Sequence, residues 1–451
     1  MRSLQDASCC VLQKKNMRTE VVRPWLYVRY KWGFCMEKMK FTKLEKNWIL
    51  YDVGNSAFTL MVTTILPIYF NSLAEGAGVS EVDYLAYWGY AASISTLIVA
   101  FLGPLLGTMA DIRNFKKPLF LISVLIGVFA CGFLWVPSSW LMFLAVFIVA
   151  KVGYNISLIF YDAMLPDVTT PERLDRVSSN GYAWGYIGSC IPFAVSLVFV
   201  LMYESFGMTI GTAMIIAFVL NGAWWLLMTL PLLKDYKQLH YIAAPEHPLQ
   251  ESVRRIVDTL KDIKGQKHIF MYLLAFFFFI DGVYTIIEMA TAYGSALGLD
   301  TAGLLLALLV TQIVAFPCAL IFSRLSSKYE TGKLLKVCII AYIAIALFAI
   351  QLDKQWEFWF LAVCVGMFQG AIQALARSYF AKIIPAEKSG EYFGIYDICG
   401  KGASFVGTFL IGVVAQVTGF ANLGVAVIAV LLIAGFFIFC IADKMQVKEN
   451  L

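Results

Sequence analysis

Residues 48–72 read WILYDVGNSAFTLMVTTILPIYFNS. The run is long enough to cross a bilayer, which takes roughly 20 predominantly apolar residues in a helix. Its polar residues are ordered: Asp52, Asn55, Ser56, Thr59 and Thr63 follow i, i+3, i+4, i+7, i+11 spacing and fall on one helical face. A charge within a membrane costs about 2.5–3.5 kcal/mol on insertion scales, so such residues face a cavity or a partner. The stretch predicts a membrane helix with one polar stripe.

Eleven further runs of this kind follow. The first six spans are expected near 48–72, 84–110, 117–136, 139–163, 179–202 and 207–232, and the second six near 269–294, 301–323, 334–352, 356–381, 392–416 and 419–442. The expected fold class is an all-α membrane protein of twelve transmembrane helices in two six-helix bundles. Residues 1–46 form a basic tail, 47–232 and 268–443 the two bundles, 233–267 a linker, and 444–451 a second tail. Composition agrees: 60% of the 451 residues are hydrophobic and 14% charged, where a soluble domain carries about a quarter charged. A soluble enzyme, a disordered chain and a nucleic-acid-binding protein are excluded on that ground.

The tail 1–46 holds eleven Lys/Arg and the linker seven. Arg113, Lys116, Lys117, Arg173, Arg176, Arg324, Lys328, Lys333, Lys336, Lys382 and Lys388 fall in or beside the even-numbered connections. The opposite side shows Lys354 among Glu75, Glu81, Asp83 and Asp300. The positive-inside rule therefore puts both termini and the linker in the cytoplasm. No cleavable signal peptide is evident. Two readings fit the tail: translation starting at Met36 or Met39, or a basic arm on anionic lipid. The linker residues Leu249, Val253, Ile256, Val257, Leu260 and Ile263 recur at helical spacing opposite Arg254, Arg255, Lys261 and Lys264, which predicts an amphipathic helix on the cytoplasmic membrane face.

The halves echo one another at an offset of about 213–221 residues: Pro104 with Pro317, Pro166 with Pro385, Gly181 with Gly394. Duplicated transporters place substrate near the midplane between halves that rock about it. The scattered cysteines show no metal-ligand spacing, and Cys9 and Cys10 are either an acylation pair or incidental. His240, His247 and His268 all lie between residues 233 and 268, so no imidazole serves the spans. No metal, no cofactor and no enzymatic activity are expected, and the P-loop pattern is missing.

Local signatures suggest a family. EKNWILYDVGNSAF (45–58), FYDAMLPD (160–167), SSNGYAWGYIG (178–188), FFIDGVYTII (278–287), ARSYFAKIIP (376–385) and GEYFGIY (390–396) occur in order. They resemble the vacuole-effluxer-like family of the major facilitator superfamily, whose yeast member is associated with release of amino acids from the vacuole. The short linker is more similar to the bacterial members, which implies a bacterial inner membrane. The resemblance implies the major facilitator fold, with spans one, four, seven and ten lining the cavity. The superfamily's loop signature is partly kept: Gly107, Asp111, Arg113, Lys116 and Lys117 fit it, while Ile112 and Asn114 stand where a basic residue and a glycine are usual. It implies a conformational latch at Gly107, Asp111 and Arg113. In the second half, Ser323 and Ser327 take the Gly and Asp positions.

Spacing alone marks the same spans. Lys151, Asn155 and Asp162 share a face in the fourth, Asp281, Thr285 and Glu288 in the seventh, and Gln369, Gln373 and Arg377 in the tenth. The eleventh adds Asp397, Lys401, Ser404 and Thr408. Candidate substrate-binding or proton-coupling residues are therefore Asp281, Glu288, Thr285, Lys151, Asn155, Arg377, Gln373, Lys401, Asp52 and Asn55. For several a plainer reading stands beside this one. Asp52 can be an interfacial helix start, Asp162 structural, and Arg377 a clamp onto Asp397 or another carboxylate. The glycines 181, 185 and 188 suggest close helix packing.

A zwitterionic amino acid needs cationic and anionic partners together. Lys151, Lys401 or Arg377 would meet its carboxylate and Asp281 or Glu288 its ammonium. A secondary transporter of amino acids or similar small metabolites is expected, a monomer in the lipid bilayer with protons as coupling ion and Asp281 or Glu288 titrating. The alternatives are an exporter of drugs or other small solutes and, in a different class, a non-transporting receptor or polytopic enzyme.

Overall fold

The computed structural model describes residues 40–79, 81–136, 139–246, 248–296, 299–418 and 421–449. The start-site alternatives Met36 and Met39, the Cys9–Cys10 pair and His247 lie outside the described residues, as do the side chains of Val257, Leu260, Ile263, Ser404 and Thr408. Two units are distinguished, one ending at Lys46 and one beginning at Asn47. In the first, Thr42 and Glu45 form a capping box: the Glu45 carboxylate accepts from the Thr42 N–H at 2.7 Å, and the Thr42 hydroxyl from the Glu45 N–H at 3.1 Å.

The long helices are α1 Lys43–Gly76, α2 Glu81–Ala110, α3 Lys116–Gly132, α4 Trp140–Ala163, α5 Leu174–Leu201 and α6 Ile210–Asp235. After the linker helix Pro248–Gly265 come α7 Lys267–Ala296, α8 Thr301–Leu325, α9 Thr331–Ala349, α10 Gln355–Ile383, α11 Ser389–Thr418 and α12 Ala421–Glu449. Ten of the described helices are long and apolar enough to cross a membrane, against the twelve spans expected. The two outside that count are α3, of 17 residues, and α11.

Several starts are written locally. Ser139, Thr209 and Asp300 precede α4, α6 and α8, and each side chain accepts a backbone N–H of the first turn. Pro104 and Pro317 both sit inside their helices, α2 and α8. Pro166 lies in a short turn after α4, and Pro385 opens the corresponding turn after α10.

Burial is inverted relative to a soluble protein. Phe101 (78%), Val417 (81%) and Val430 (64%) are exposed, while Lys116, Asp111 and Asp281 are fully buried. Water would reverse both preferences; a hydrocarbon surround satisfies them. Close packing follows the small residues: a Cβ on Gly181, Gly185 or Gly188 of α5 would strike Asp52, Ser56 or Val53 of α1.

The α2–α3 turn carries the one local departure from ordinary backbone geometry among the described non-glycine residues. Asn114 has φ 68°, the left-handed region that the usual glycine of the loop signature would occupy. Asparagine tolerates it better than other side chains. Asn114→Gly is therefore expected to leave thermal stability in detergent unchanged, and Asn114→Val to cost about 1–2 kcal/mol, read as a lowered Tm. The start of the linker is pinned to this turn. The Ile242 N–H donates to the Asp111 carbonyl at 2.8 Å, the Arg113 N–H donates to the Ile242 carbonyl at 3.1 Å, and the Gln238 side chain accepts from the Asn114 N–H at 3.0 Å.

Candidate functional site

The most connected charge is Arg377 of α10. Its Nη1 donates to Asp162 Oδ1 at 2.9 Å and its Nη2 to Asp52 Oδ2 at 3.4 Å. Nε donates to the Ser178 hydroxyl at 2.9 Å and Nη2 to the Ser178 carbonyl at 3.1 Å. The guanidinium lies over the rings of Tyr182, Trp48 and Tyr161, at 4.6, 4.7 and 5.4 Å. One side chain of the second half thus joins α1, α4 and α5 of the first. It is only 3% exposed, and with two carboxylates to one guanidinium the cluster has room for one more positive charge. Asn55 donates to Asp52 at 3.4 Å and completes the carboxylate's surroundings.

Asp397 is taken by Lys401, one helical turn away at 2.5 Å, so it is not the partner of Arg377. Lys151 of α4 lies 5.9 Å from the Phe147 ring and interacts electrostatically with Glu288 of α7 and Lys401 of α11. Thr59, Thr63 and Glu288 are exposed although they stand within apolar spans. The Thr59 hydroxyl meets the Tyr154 hydroxyl at 2.7 Å. Gln373 donates to the Gln369 carbonyl at 3.1 Å and reaches Tyr186 at 3.4 Å. Asn155 is buried in α4.

Asp281 stands apart from these residues. It is fully buried between α7 and α11, where Oδ1 accepts from the Gly407 N–H at 3.0 Å and the Thr285 hydroxyl at 3.2 Å. Its Oδ2 has no hydrogen-bond partner among the described residues. The structure therefore brings Asp52, Asn55 and Arg377 together, groups Lys151, Glu288 and Lys401, and sets Asp281 with Thr285 elsewhere. Asp162, Ser178, Trp48, Tyr161 and Tyr182 belong to the first cluster and were not among the expected site residues. Their presence in the quoted signatures 45–58, 160–167 and 178–188 was the available signal.

Where α2 ends, Asp111 caps α11. Its carboxylate accepts from the Gly390 N–H at 2.7 Å and the Glu391 N–H at 2.9 Å, where the helix dipole also favours an anion. The backbones of Gly107 and Gly390 touch, leaving no space for a Cβ on either. Lys116 Nζ donates to the Ala163 carbonyl at 3.1 Å and the Ser389 hydroxyl at 2.9 Å, and lies 3.8 Å from Asp111 and 3.6 Å from Asp167. Arg113 packs over Tyr241 of the linker at 5.2 Å and is exposed. On the other side of the same face Asn180 donates to the Ser323 hydroxyl at 2.7 Å.

Burial pushes the Asp111 carboxyl up to about 7; Lys116 and the two backbone N–H groups pull it down, and Glu391 adds to the rise. Between the ordinary value near 3.8 and about 7 the native protein holds the extra proton. The stability contributed by this group is therefore full below pH 4 and is lost as pH rises through 7. The expected result is that Asp111→Asn flattens the fall in Tm between pH 4 and 7 relative to the wild type.

Comparison with known proteins gives the site its setting. The family described as "Vacuole effluxer Atg22 like" matches residues 42–450. The chain is 41% identical over 404 residues to the "Uncharacterized MFS-type transporter YxiO" of Bacillus subtilis (strain 168), covering 88% of this chain and 94% of that one. It is 24% identical over 442 residues to Autophagy-related protein 22 of Eremothecium gossypii, covering 82% and 85%. Among solved structures it is similar to the MFS transporter FucP in the outward conformation, with TM-score 0.68 at 12% identity over 89% of this chain and 97% of that one. A bacterial homologue of the iron transporter ferroportin in the outward-facing state gives TM-score 0.65 at 14% identity over 89% and 99%. At such identities the two structures speak for the fold alone. The match along nearly the whole sequence, the bacterial relative and the shared fold agree with the inverted burial: the chain belongs to the vacuole effluxer Atg22-like family and is a multi-pass, MFS-type membrane transporter.

Proposed function

We propose that this transporter moves amino acids or similar small metabolites by alternating access, in a bacterial cell membrane, as a monomer with both termini cytoplasmic and with transport linked to protons. In this reading 47–232 and 268–443 are the two rocking halves and 233–267 the cytoplasmic linker. What supports the substrate class is the placement of Lys151 in α4, Glu288 in α7 and Lys401 in α11, cations and an anion set into otherwise apolar segments of the two halves. A zwitterion matches both, whereas a hydrophobic drug matches neither.

Proton linkage is supported by two features. The Arg377 cluster has two carboxylates to one cation, and Asp281 is buried with no basic group bonded to it among the described residues. An isolated buried carboxylate is far cheaper neutral than charged. The test is accumulation of labelled amino acids in proteoliposomes driven by ΔpH, comparing wild type with Asp281→Asn and Glu288→Gln. Loss of ΔpH-driven accumulation in at least one variant, with counterflow retained, is expected. If both variants still concentrate substrate, neither carboxylate couples the proton.

A further inference from the structure

The linker helix Pro248–Gly265 turns its polar edge toward the bundles. Ser252 and Thr259 are buried at 1% exposure while Leu249 and Val253 are exposed at 58% and 51%. Arg255, on the buried edge, has a side chain only 14% exposed, with Nη2 at 2.6 Å from Glu391 Oε2 and 4.0 Å from Asp111 Oδ2.

Glu391 has a counterpart in the first half. A shift of 216 residues, within the range of the internal repeat, brings it onto Asp175, and each stands in the first turn of its helix, α11 and α5. Asp175 is held across the halves by Lys382 at 2.6 Å and by the Thr331 hydroxyl at 2.6 Å. Shifting Lys382 back by 213–221 residues lands within 161–169, YDAMLPDVT, which contains no cation. The basic position of the loop signature is likewise filled by Ile112, which is buried. Lys116 is already divided between Asp111 and Asp167. Among the described residues none of these first-half positions offers Glu391 a cation.

We propose that Arg255 supplies it: the linker helix is a working part of the gate, its guanidinium bridging Glu391 and Asp111 while this face is closed and releasing them when it opens. The inference rests on the alternating-access reading. The bridge requires the end of α2 to abut the start of α11, because its two carboxylates come from opposite halves. Arg255 acts through the closure and touches no substrate, so it is a positioning residue.

The test uses the full chain in nanodiscs, with native cysteines replaced and spin labels attached at Pro118→Cys and Glu387→Cys, two exposed positions on opposite halves of this face. Electron double resonance gives the distance distribution, and counterflow gives transport in the same preparations. Arg255→Ala is expected to raise the long-distance fraction at least threefold, Glu391→Gln to do the same, and the double variant to add nothing further. Arg255→Lys should retain part of the short-distance population, and the exchanged pair Arg255→Glu with Glu391→Arg should recover it. That recovery separates a bridging charge from a general loss of fold. A wild-type distribution in Arg255→Ala, alongside a shifted one in Glu391→Gln, overturns the assignment. Labels that keep one distance in wild type while counterflow proceeds would overturn the alternating-access reading itself, and the gate role with it.

Discussion

Arg377→Ala is expected to abolish transport and to lower stability by about 3–5 kcal/mol, the cost of removing one partner from a buried ion pair. The cluster explains the size of the effect. Asp52 and Asp162 would lose their common cation, Ser178 two donors, and three aromatic rings the charge they enclose. Arg377→Lys should fall between, because an ammonium keeps the charge but cannot reach two carboxylates and a carbonyl along fixed directions. Two measurements check this: Tm in detergent, and counterflow in vesicles with matched protein content. Adding Asp52→Asn and Asp162→Asn to Arg377→Ala removes the stranded charges and is expected to restore most of the Tm but none of the transport. Counterflow at the wild-type rate in Arg377→Ala would dismiss the cluster as a functional element.

The second large effect is steric. Gly107→Ala places a methyl group against the Gly390 carbonyl, where backbone meets backbone and no side chain can swing aside. In the proposed alternating-access cycle the contact between α2 and α11 then cannot form, and this face should stay open. Alkylation of a cysteine introduced at Ser178, which is fully buried in the closed arrangement, should accelerate at least tenfold. Gly89→Ala, in the same helix with nothing near its Cβ, serves as the control. It should leave the alkylation rate unchanged and stabilise slightly, since alanine exceeds glycine as a helix former by about 1 kcal/mol. Equal alkylation rates in the two variants would mean that the glycine contact does not govern closure.

Much of this architecture was legible in the sequence because hydrophobic spacing is a local signal. The helices fall close to the expected spans, and of the polar stripe on α1 the Asp52–Ser56 part meets α5 and α10 while Thr59 and Thr63 stay exposed. What spacing could not supply is which stripe meets which. Arg377 finds Asp162 and Asp52 at separations of 215 and 325 residues, and only the placing of α10 beside α4 and α1 decides that it meets them and not Asp397. Asp281 and Glu288 share one face of α7, and spacing leaves both as candidate titrating groups, Asp281 nearer the midplane. Burial separates them: one is enclosed against Gly407 while the other is exposed. Asn114 broke the loop signature as text but preserves it as geometry, since its φ of 68° is the angle the glycine would have served. The apolar stripe of the linker helix is legible by spacing, but not that its polar edge brings Arg255 to Glu391 and Asp111.

Lys116 carries a consequence for where the seam divides. Its ammonium is fully buried, shared among the Ala163 carbonyl, the Ser389 hydroxyl and the carboxylates of Asp111 and Asp167. Of these partners Ser389 alone stands beyond the linker; the other three belong, with Lys116, to the first half. If the halves part as proposed, the ammonium gives up one neutral hydroxyl and keeps both carboxylates, so no charge is stranded. Lys116 thus ties the first half to itself, and the bonds that must break across this seam are those from the Gly390 and Glu391 N–H groups to Asp111.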